Sequence, residues 1–182
     1  MKRFLDIIGA LLGLIFTALI YLPLAVAIKL DSPGPVIFAQ ERVGKDLRYF
    51  KCYKFRTMYL NLSGYGRKPG FNDERVTRVG WFLRRTSLDE LPQFFNILRG
   101  EMSLVGPRPE QFPFLVYYAV WQRQRFTVKP GLTGWWQING RQQPMQEHID
   151  EDIYYVAHCS LWMDLIILWR TLGAVLGGKG AA

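Results

Sequence analysis

Apolar and polar positions divide this chain unequally. From Phe4 to Ile28 the run FLDIIGALLGLIFTALIYLPLAVAI is 25 residues, interrupted only by Asp6, Thr17, Tyr21 and Pro23. As a helix it measures about 37 Å at the usual rise, against a hydrocarbon core of about 30 Å, which predicts a membrane helix. The run is too long for a cleaved signal, and no small-x-small site precedes a mature start, since KLDSPGPVIFAQ resumes at once. Lys2 and Arg3 flank one end and Lys29, Arg42 and Lys45 the other, so the positive-inside bias draws both ends toward the cytoplasm. A helix that enters the bilayer and returns reconciles the two ends. Gly9, Gly13 and Pro23 are places for it to bend, Pro23 because it removes the hydrogen bond to Leu19.

Beyond residue 30 the period shortens. PVIFAQERVG and RYFKCYKFRTM are β-like runs separated by the turn signal Gly44-Lys45-Asp46, and alternation in the second puts Lys54 and Arg56 on one face of a small hairpin. The stretch from Tyr59 to Asn72 is polar, with Gly64, Gly66, Pro69 and Gly70, and reads as a mobile loop. RVTRVGWFLRR and LPQFFNILRG are helical stretches, the second closed by Gly100 as a C-terminal cap. In the C-terminal third, LVYYAVWQRQRF, GLTGWWQINGR and DIYYVAHCSLWMDLIILWRTLGAVL mix Trp and Tyr with Arg, as residues at headgroup depth do. The last apolar run, Leu161 to Leu176, starts well at Ser160. It has 16 residues and contains Asp164 and Arg170, which favours an interfacial amphipathic or core helix over a second span. The expectation is an α+β, mostly helical fold in two parts: a membrane-embedded helix over 1–30 and a cytoplasmic-face domain over 31–182.

Composition adds a phosphate-rich partner. The chain has 23 Lys and Arg against 15 Asp and Glu, net +8 over 182 residues, which suits nucleic acid, an anionic membrane or a phosphorylated small molecule. Interleaved aromatic and basic residues also suit stacked bases, but a membrane helix fused directly to the domain argues against nucleic acid. Cys52 and Cys159 are solitary, and with His148 and His158 they match no zinc spacing, so neither disulfide nor structural metal is expected.

The candidate chemistry lies in Arg84-Arg85-Thr86-Ser87-Leu88-Asp89-Glu90-Leu91-Pro92. Ser87-x-x-Glu90 has the form of a capping box, yet with Ser87 as N-cap the proline would fall at the fifth helical position, where it disrupts a helix. A cap at Asp89 or later makes Pro92 tolerable and leaves both carboxylates at a helix mouth. Arg108, held between Pro107 and Pro109, has a stiffened backbone from which to offer a bidentate clamp to phosphate.

KLDSPGPVIFAQERVG, YKFRTM, TRVGWFLRRTSLDELPQFFNILRGEMSLVGPRP, VKPGLTGWWQINGR and DIYYV occur in that order, and together they resemble the bacterial sugar transferase family over nearly the whole chain. The resemblance implies a monotopic phosphoglycosyl transferase with a reentrant membrane helix, a small β-hairpin and interfacial amphipathic helices, at the bacterial inner membrane with its active site facing the cytoplasm. Such an enzyme moves a sugar phosphate from a UDP-sugar to a polyprenyl phosphate such as undecaprenyl phosphate, releasing UMP. That is the first membrane step of glycoconjugate assembly. Larger members carry a further multi-span N-terminal region, so this chain resembles the minimal form. The family usually has a Ser-Pro pair in the middle of the membrane helix; here Thr17-Ala18 stands in its place, and Thr17 bends the helix if it bonds a carbonyl one turn back.

By resemblance Asp89 is the nucleophile, forming an aspartyl phosphosugar, and Glu90 helps organise Mg²⁺ and substrate; which acid touches the metal stays open. Arg84 and Arg85 suit phosphate or lipid headgroups equally, as do Lys54 and Arg56. In the PGLTGWWQINGR stretch, Gly134 and Gly140 permit close backbone approach, Gln137 and Arg141 suit nucleotide or phosphate, and Trp135 and Trp136 suit uracil or membrane. A membrane phosphatase or pyrophosphatase, or a noncatalytic basic scaffold, remain alternatives. A homo-oligomer is compatible with the sequence, which does not specify one.

Overall fold

The computed structural model describes residues 1–60, 73–139 and 148–176. The glycine-rich stretch read as a mobile loop lies largely outside them, as do Gly140 and Arg141.

Helix α1 runs unbroken from Lys2 to Asp31, and it is long and apolar enough to cross a membrane. Pro23 sits inside it, and Thr17 Oγ1 donates to Gly13 O at 2.6 Å, the one-turn-back bond expected of that threonine. One stripe of α1 lies on the rest of the chain: Asp6, Ala10, Thr17 and Ile28 are buried, while Leu12, Leu19, Leu22 and Leu30 on other faces are exposed. Glycine makes the contact close, because a Cβ at Gly13 would collide with the Phe94 ring.

Both ends of α1 are fastened to the same body. At the start, Lys2 Nζ donates to Asp164 Oδ2 (2.6 Å) and Val105 O (3.0 Å), Arg3 donates to Ile97 O and Leu98 O, and Asp6 Oδ1 accepts from Ser103 Oγ and Leu104 N–H. At the finish, Asp31 Oδ2 accepts from Val79 N–H at 2.8 Å, and Arg56 donates to the carbonyls of Ile28, Ser32 and Pro33.

The expected hairpin is present. Strands β1 (Ile37–Val43) and β2 (Tyr49–Phe55) pair antiparallel from Ile37↔Phe55 to Val43↔Tyr49, across a turn in which Asp46 and Leu47 have positive φ. Alternation along β2 buries Phe50 and Cys52 with Ala10, Ile97 and Met102, while Phe55 joins Ile28 and Leu83 in a second cluster. This holds β2 between α1 and the two helices that frame the acidic pair, α2 (Arg78–Arg85) and α3 (Gln93–Arg99).

Helix α2 is capped by Thr77, whose side chain accepts from Gly80 N–H, and α3 ends at Gly100 in the left-handed region, φ 82°, as the sequence suggested. Two three-residue strands, β3 (Ser103–Val105) and β4 (Gly131–Thr133), pair in parallel, which the sequence reading did not anticipate. Helices α4 (Trp135–Asn139), α5 (Ile149–His158) and α6 (Leu161–Leu176) complete the fold. Ser160 starts α6, its side chain accepting from Met163 N–H. Met163 and Ile167 face the core with Val105 and Tyr155, while Trp162, Leu165, Trp169 and Leu172 lie outward and exposed.

Candidate functional site

Between α2 and α3 the chain makes a single 3-10 turn, Leu88–Glu90, entered through Ser87 at φ 57°, ψ 15°. Ser87 makes no cap bond and Pro92 is the N-cap residue of α3, so the capping box gives way as the position of Pro92 requires. The tight turn sends Asp89 and Glu90 toward β2. Lys54, on the Phe50 and Cys52 row, meets them: its Nζ lies 2.6 Å from Glu90 Oε1 and 3.9 Å from Asp89 Oδ2. Arg108 reaches the same Glu90 oxygen, Nη2 to Oε1 3.3 Å.

The two acids are treated differently. Among the described residues, Glu90 is shared between Lys54 and Arg108. Asp89 is 8% exposed, and among the described residues nothing hydrogen-bonds its carboxylate. Burial pushes the Asp89 carboxyl up to about 6; Lys54 opposes the rise, Glu90 adds to it, and Arg84 and Arg108 oppose it more weakly. Arg84 is anchored by Nε to Thr57 Oγ1 at 2.9 Å. Burial lowers its pKa, while Asp89 holds it up.

Among the described residues no group of three or more His, Cys, Asp and Glu is gathered as metal ligands. Two adjacent hard carboxylates, one without a hydrogen bond, nevertheless fit a Mg²⁺ that takes its other ligands from phosphate and water, as Mg²⁺ commonly does.

The structure therefore brings together Asp89, Glu90, Lys54, Arg84 and Arg108. It takes others elsewhere. Arg56 is 2% exposed and its guanidinium terminates α1 on three carbonyls, away from the acids, because helix ends leave carbonyls that a buried cation satisfies well. Arg85 is exposed and lies over the Trp81 ring at 5.2 Å. Trp135 packs against Tyr154, with Arg170 over it, and belongs to the cluster around Val105 and Ile167 rather than to an open stacking surface. Gly134 does allow a close backbone approach, but to Gly106 O of the protein itself. Gln137 is buried, with Nε2 donating to Leu132 O at 3.1 Å.

Sequence reasoning missed the groups behind Arg108. Arg125, in a segment read as headgroup-facing, is 1% exposed and is bonded by Asp152 and Tyr118, with Glu110 Oε2 at 3.6 Å. Tyr118 donates a short hydrogen bond to Glu110. Asn96, also missed, is fully buried and ties α3 to β2: its Oδ1 accepts from Tyr53 N–H and its Nδ2 donates to Lys51 O. The one local hint at the first group was Glu110 next to Pro109; its partner Tyr118 is 8 residues on, but Asp152 lies 27 residues beyond Arg125.

Comparison with known proteins agrees with the motifs. The family model for bacterial sugar transferases matches residues 1–178. The chain is 43% identical, over 99% of its length, to a UDP-N-acetylgalactosamine-undecaprenyl-phosphate N-acetylgalactosaminephosphotransferase of Aeromonas hydrophila, of which it covers 44%. It is 44% identical, over 94% of its length, to a UDP-glucose:undecaprenyl-phosphate glucose-1-phosphate transferase of Escherichia coli K12, of which it covers 39%. To the galactosyl transferase CpsE of Streptococcus agalactiae it is 42% identical over 99% of its length, covering 43% of that protein. The chain thus spans under half the length of these relatives. With one family model matching almost end to end, the chain belongs to the bacterial sugar transferase family.

Proposed function

We propose that this chain transfers a sugar phosphate from a UDP-sugar to a polyprenyl phosphate such as undecaprenyl phosphate, through a phosphosugar carried on Asp89. The observation that carries the reading is the division of labour in the acidic pair: Glu90 takes up Lys54 and Arg108, while Asp89 lies buried beside them with no hydrogen bond from the described residues. Such a carboxylate is poorly solvated and free to attack, and the adjacent cations offset its repulsion from a diphosphate.

In the first half-reaction an Asp89 oxygen forms a bond to the phosphorus that bears the sugar, and the bond from that phosphorus to the bridging oxygen breaks. The electron pair leaves with UMP. In the second, an oxygen of the lipid phosphate attacks the same phosphorus and the Asp89 carboxylate is restored. Arg108 clamps substrate phosphate during both, and Lys54 keeps Glu90 in place. Asp89 and Glu90 would hold Mg²⁺, whose charge would stabilise the diphosphate and its leaving group.

The membrane reading follows from α1. The attachment of α1 to one body at Lys2, Arg3 and Asp6 and again at Asp31 supports a monotopic helix over 1–30 whose two ends, with the domain, lie at the cytoplasmic face. The outward Trp162, Leu165, Trp169 and Leu172 of α6 supply a second apolar face at that level. A cysteine placed near Lys2 should be labelled only after permeabilisation; labelling in intact cells would leave a spanning helix.

The functional test is a screen of UDP-sugars for UMP release dependent on Mg²⁺ and polyprenyl phosphate. With the accepted sugar and no lipid, intact-protein mass spectrometry after rapid denaturing quench should show one phosphosugar added. Lipid-independent release of free sugar phosphate would favour hydrolysis instead.

A further inference from the structure

The backbone that carries Arg108 is held at four successive carbonyls. Each carbonyl from Pro107 to Glu110 accepts a hydrogen bond, and the donors come from different parts of the chain. Gly131 N–H in β4 reaches Pro107 O (2.9 Å), Arg125 Nη2 reaches Arg108 O (2.8 Å), Arg42 Nη1 reaches Pro109 O (3.1 Å) and Val43 N–H reaches Glu110 O (2.8 Å). The two prolines fix φ on either side of Arg108 and remove their own N–H groups.

Two of these donors are guanidinium groups, and Arg125 is the one that solvent does not reach. Burying an ion pair is weak evidence of a contribution to stability, because apolar residues of similar volume often do as well. Fixing one carbonyl in place is something an apolar residue cannot do.

We infer that Arg125, oriented by Asp152 and Tyr118, is a positioning residue for Arg108: by holding the Arg108 carbonyl it sets where the Arg108 side chain meets Glu90 and substrate phosphate. The inference rests on the proposed transfer reaction. Leverage makes it consequential. A rotation of roughly 10° at the Arg108 backbone swings a guanidinium about 6 Å away by about 1 Å, a misplacement of the size that costs on the order of 100-fold in rate. Lysine at 125 keeps the charge but lacks the planar fork that bonds Arg108 O, Asp152 and Tyr118 together.

The test is a double-mutant cycle on the full chain in detergent or nanodiscs, with kcat and KM for the accepted UDP-sugar and the thermal transition recorded for every variant. Arg125→Lys should lower kcat by about 10- to 100-fold with a cooperative transition retained, and should cost less than about 2-fold more when Arg108 is already alanine. Tyr118→Phe, which removes one bond to the guanidinium and keeps the ring, should show a smaller loss masked in the same way; it carries the cycle if Arg125→Lys fails to fold. Equal losses in both backgrounds would assign Arg125 a purely structural role and overturn the inference. An Arg108→Ala variant of full activity would instead sink the reading of Arg108 itself. Hydrogen exchange reads the inference without any turnover: the peptide over 106–111 should exchange faster in Arg125→Lys, and unchanged exchange overturns it.

Discussion

Two clusters of buried acids and arginines meet at Arg108, one on its carbonyl and one on its side chain. In the first, Asp152 and Glu110 surround Arg125, and Tyr118 bridges Glu110 and the guanidinium; among the described residues Asp152 Oδ1 alone in this cluster lacks a partner. In the second, Asp89 and Glu90 face Lys54, Arg84 and Arg108, yet among the described residues the Asp89 carboxylate has no hydrogen bond. Each holds two acids, the first against one arginine and the second against three cations. What separates them is saturation: a buried ion whose bonds are made by protein is part of the framework, whereas one left unmade is held at a cost that substrate or metal can relieve. The comparison predicts opposite outcomes for activity and stability when each acid is changed.

The largest effect is expected at Asp89. Asp89→Asn should lower the transfer rate by on the order of 1000-fold or more and abolish the phosphosugar adduct, because the amide is no nucleophile. Its melting temperature should stay level or rise, since no hydrogen bond from the described residues is lost and an unfavourable buried charge is removed. A variant that melts well below the wild type would place Asp89 in the framework.

At the other cluster the expected signs reverse. Asp152→Ala strips Arg125 of its closest partner and leaves the buried cation only Glu110, at 3.6 Å, for compensation, which costs up to about 3–5 kcal/mol. Chemical denaturation should read that loss directly. A loss within about 0.5 kcal/mol would mean that the cluster is not the framework described, and surface-like tolerance at a residue 1% exposed would need another cause.

pH sharpens the contrast. Asp89 is raised from an ordinary 3.8 to about 6, chiefly by burial. Between those values the folded chain holds a proton there that the unfolded chain has released, so stability from this group is full below about 3.8 and is lost as pH rises through about 6. The loss is on the order of 3 kcal/mol for a shift of this size. With chelator present and no substrate, the difference in unfolding free energy between wild type and Asp89→Asn should therefore move against the wild type from pH 4 to pH 7. A flat difference would mean that Asp89 titrates near its ordinary value.

These contrasts also mark what the sequence could disclose. The acidic turn was legible because Pro92 sits where a Ser87-capped helix would not tolerate it, a local steric rule. Strand β2 was legible from alternation, including the shared row of Lys54 and Arg56. Alternation does not say what each row meets, and Arg56 goes to the end of α1, 24 residues back at Ser32, rather than to the acids. The β3–β4 pair is three residues a side, too short to leave a period. Arg125 was invisible for a similar reason: its partner Asp152 is 27 residues on, and a basic residue among aromatics looks the same buried as it does at headgroup depth.

The smallest effect is expected at Arg85, the basic neighbour of Arg84. One position apart on α2 they point differently, Arg84 inward to Thr57 Oγ1 and Arg85 outward across Trp81. An exposed cation over an aromatic face contributes about 0.5–1 kcal/mol, so Arg85→Ala should shift the melting temperature by no more than a few degrees. In detergent its transfer rate should stay within about 2-fold of wild type, while Arg84→Ala, which removes an inward cation bonded to Thr57 Oγ1 beside Asp89, should lose more than Arg85→Ala does. On vesicles rich in anionic lipid Arg85→Ala should bind less well, by up to about 1 kcal/mol for one basic residue at the surface. A loss above 10-fold in detergent would return Arg85 to the substrate. Inward and outward arginines would then not be separable by burial, and the line between framework, site and surface would have to be redrawn at α2.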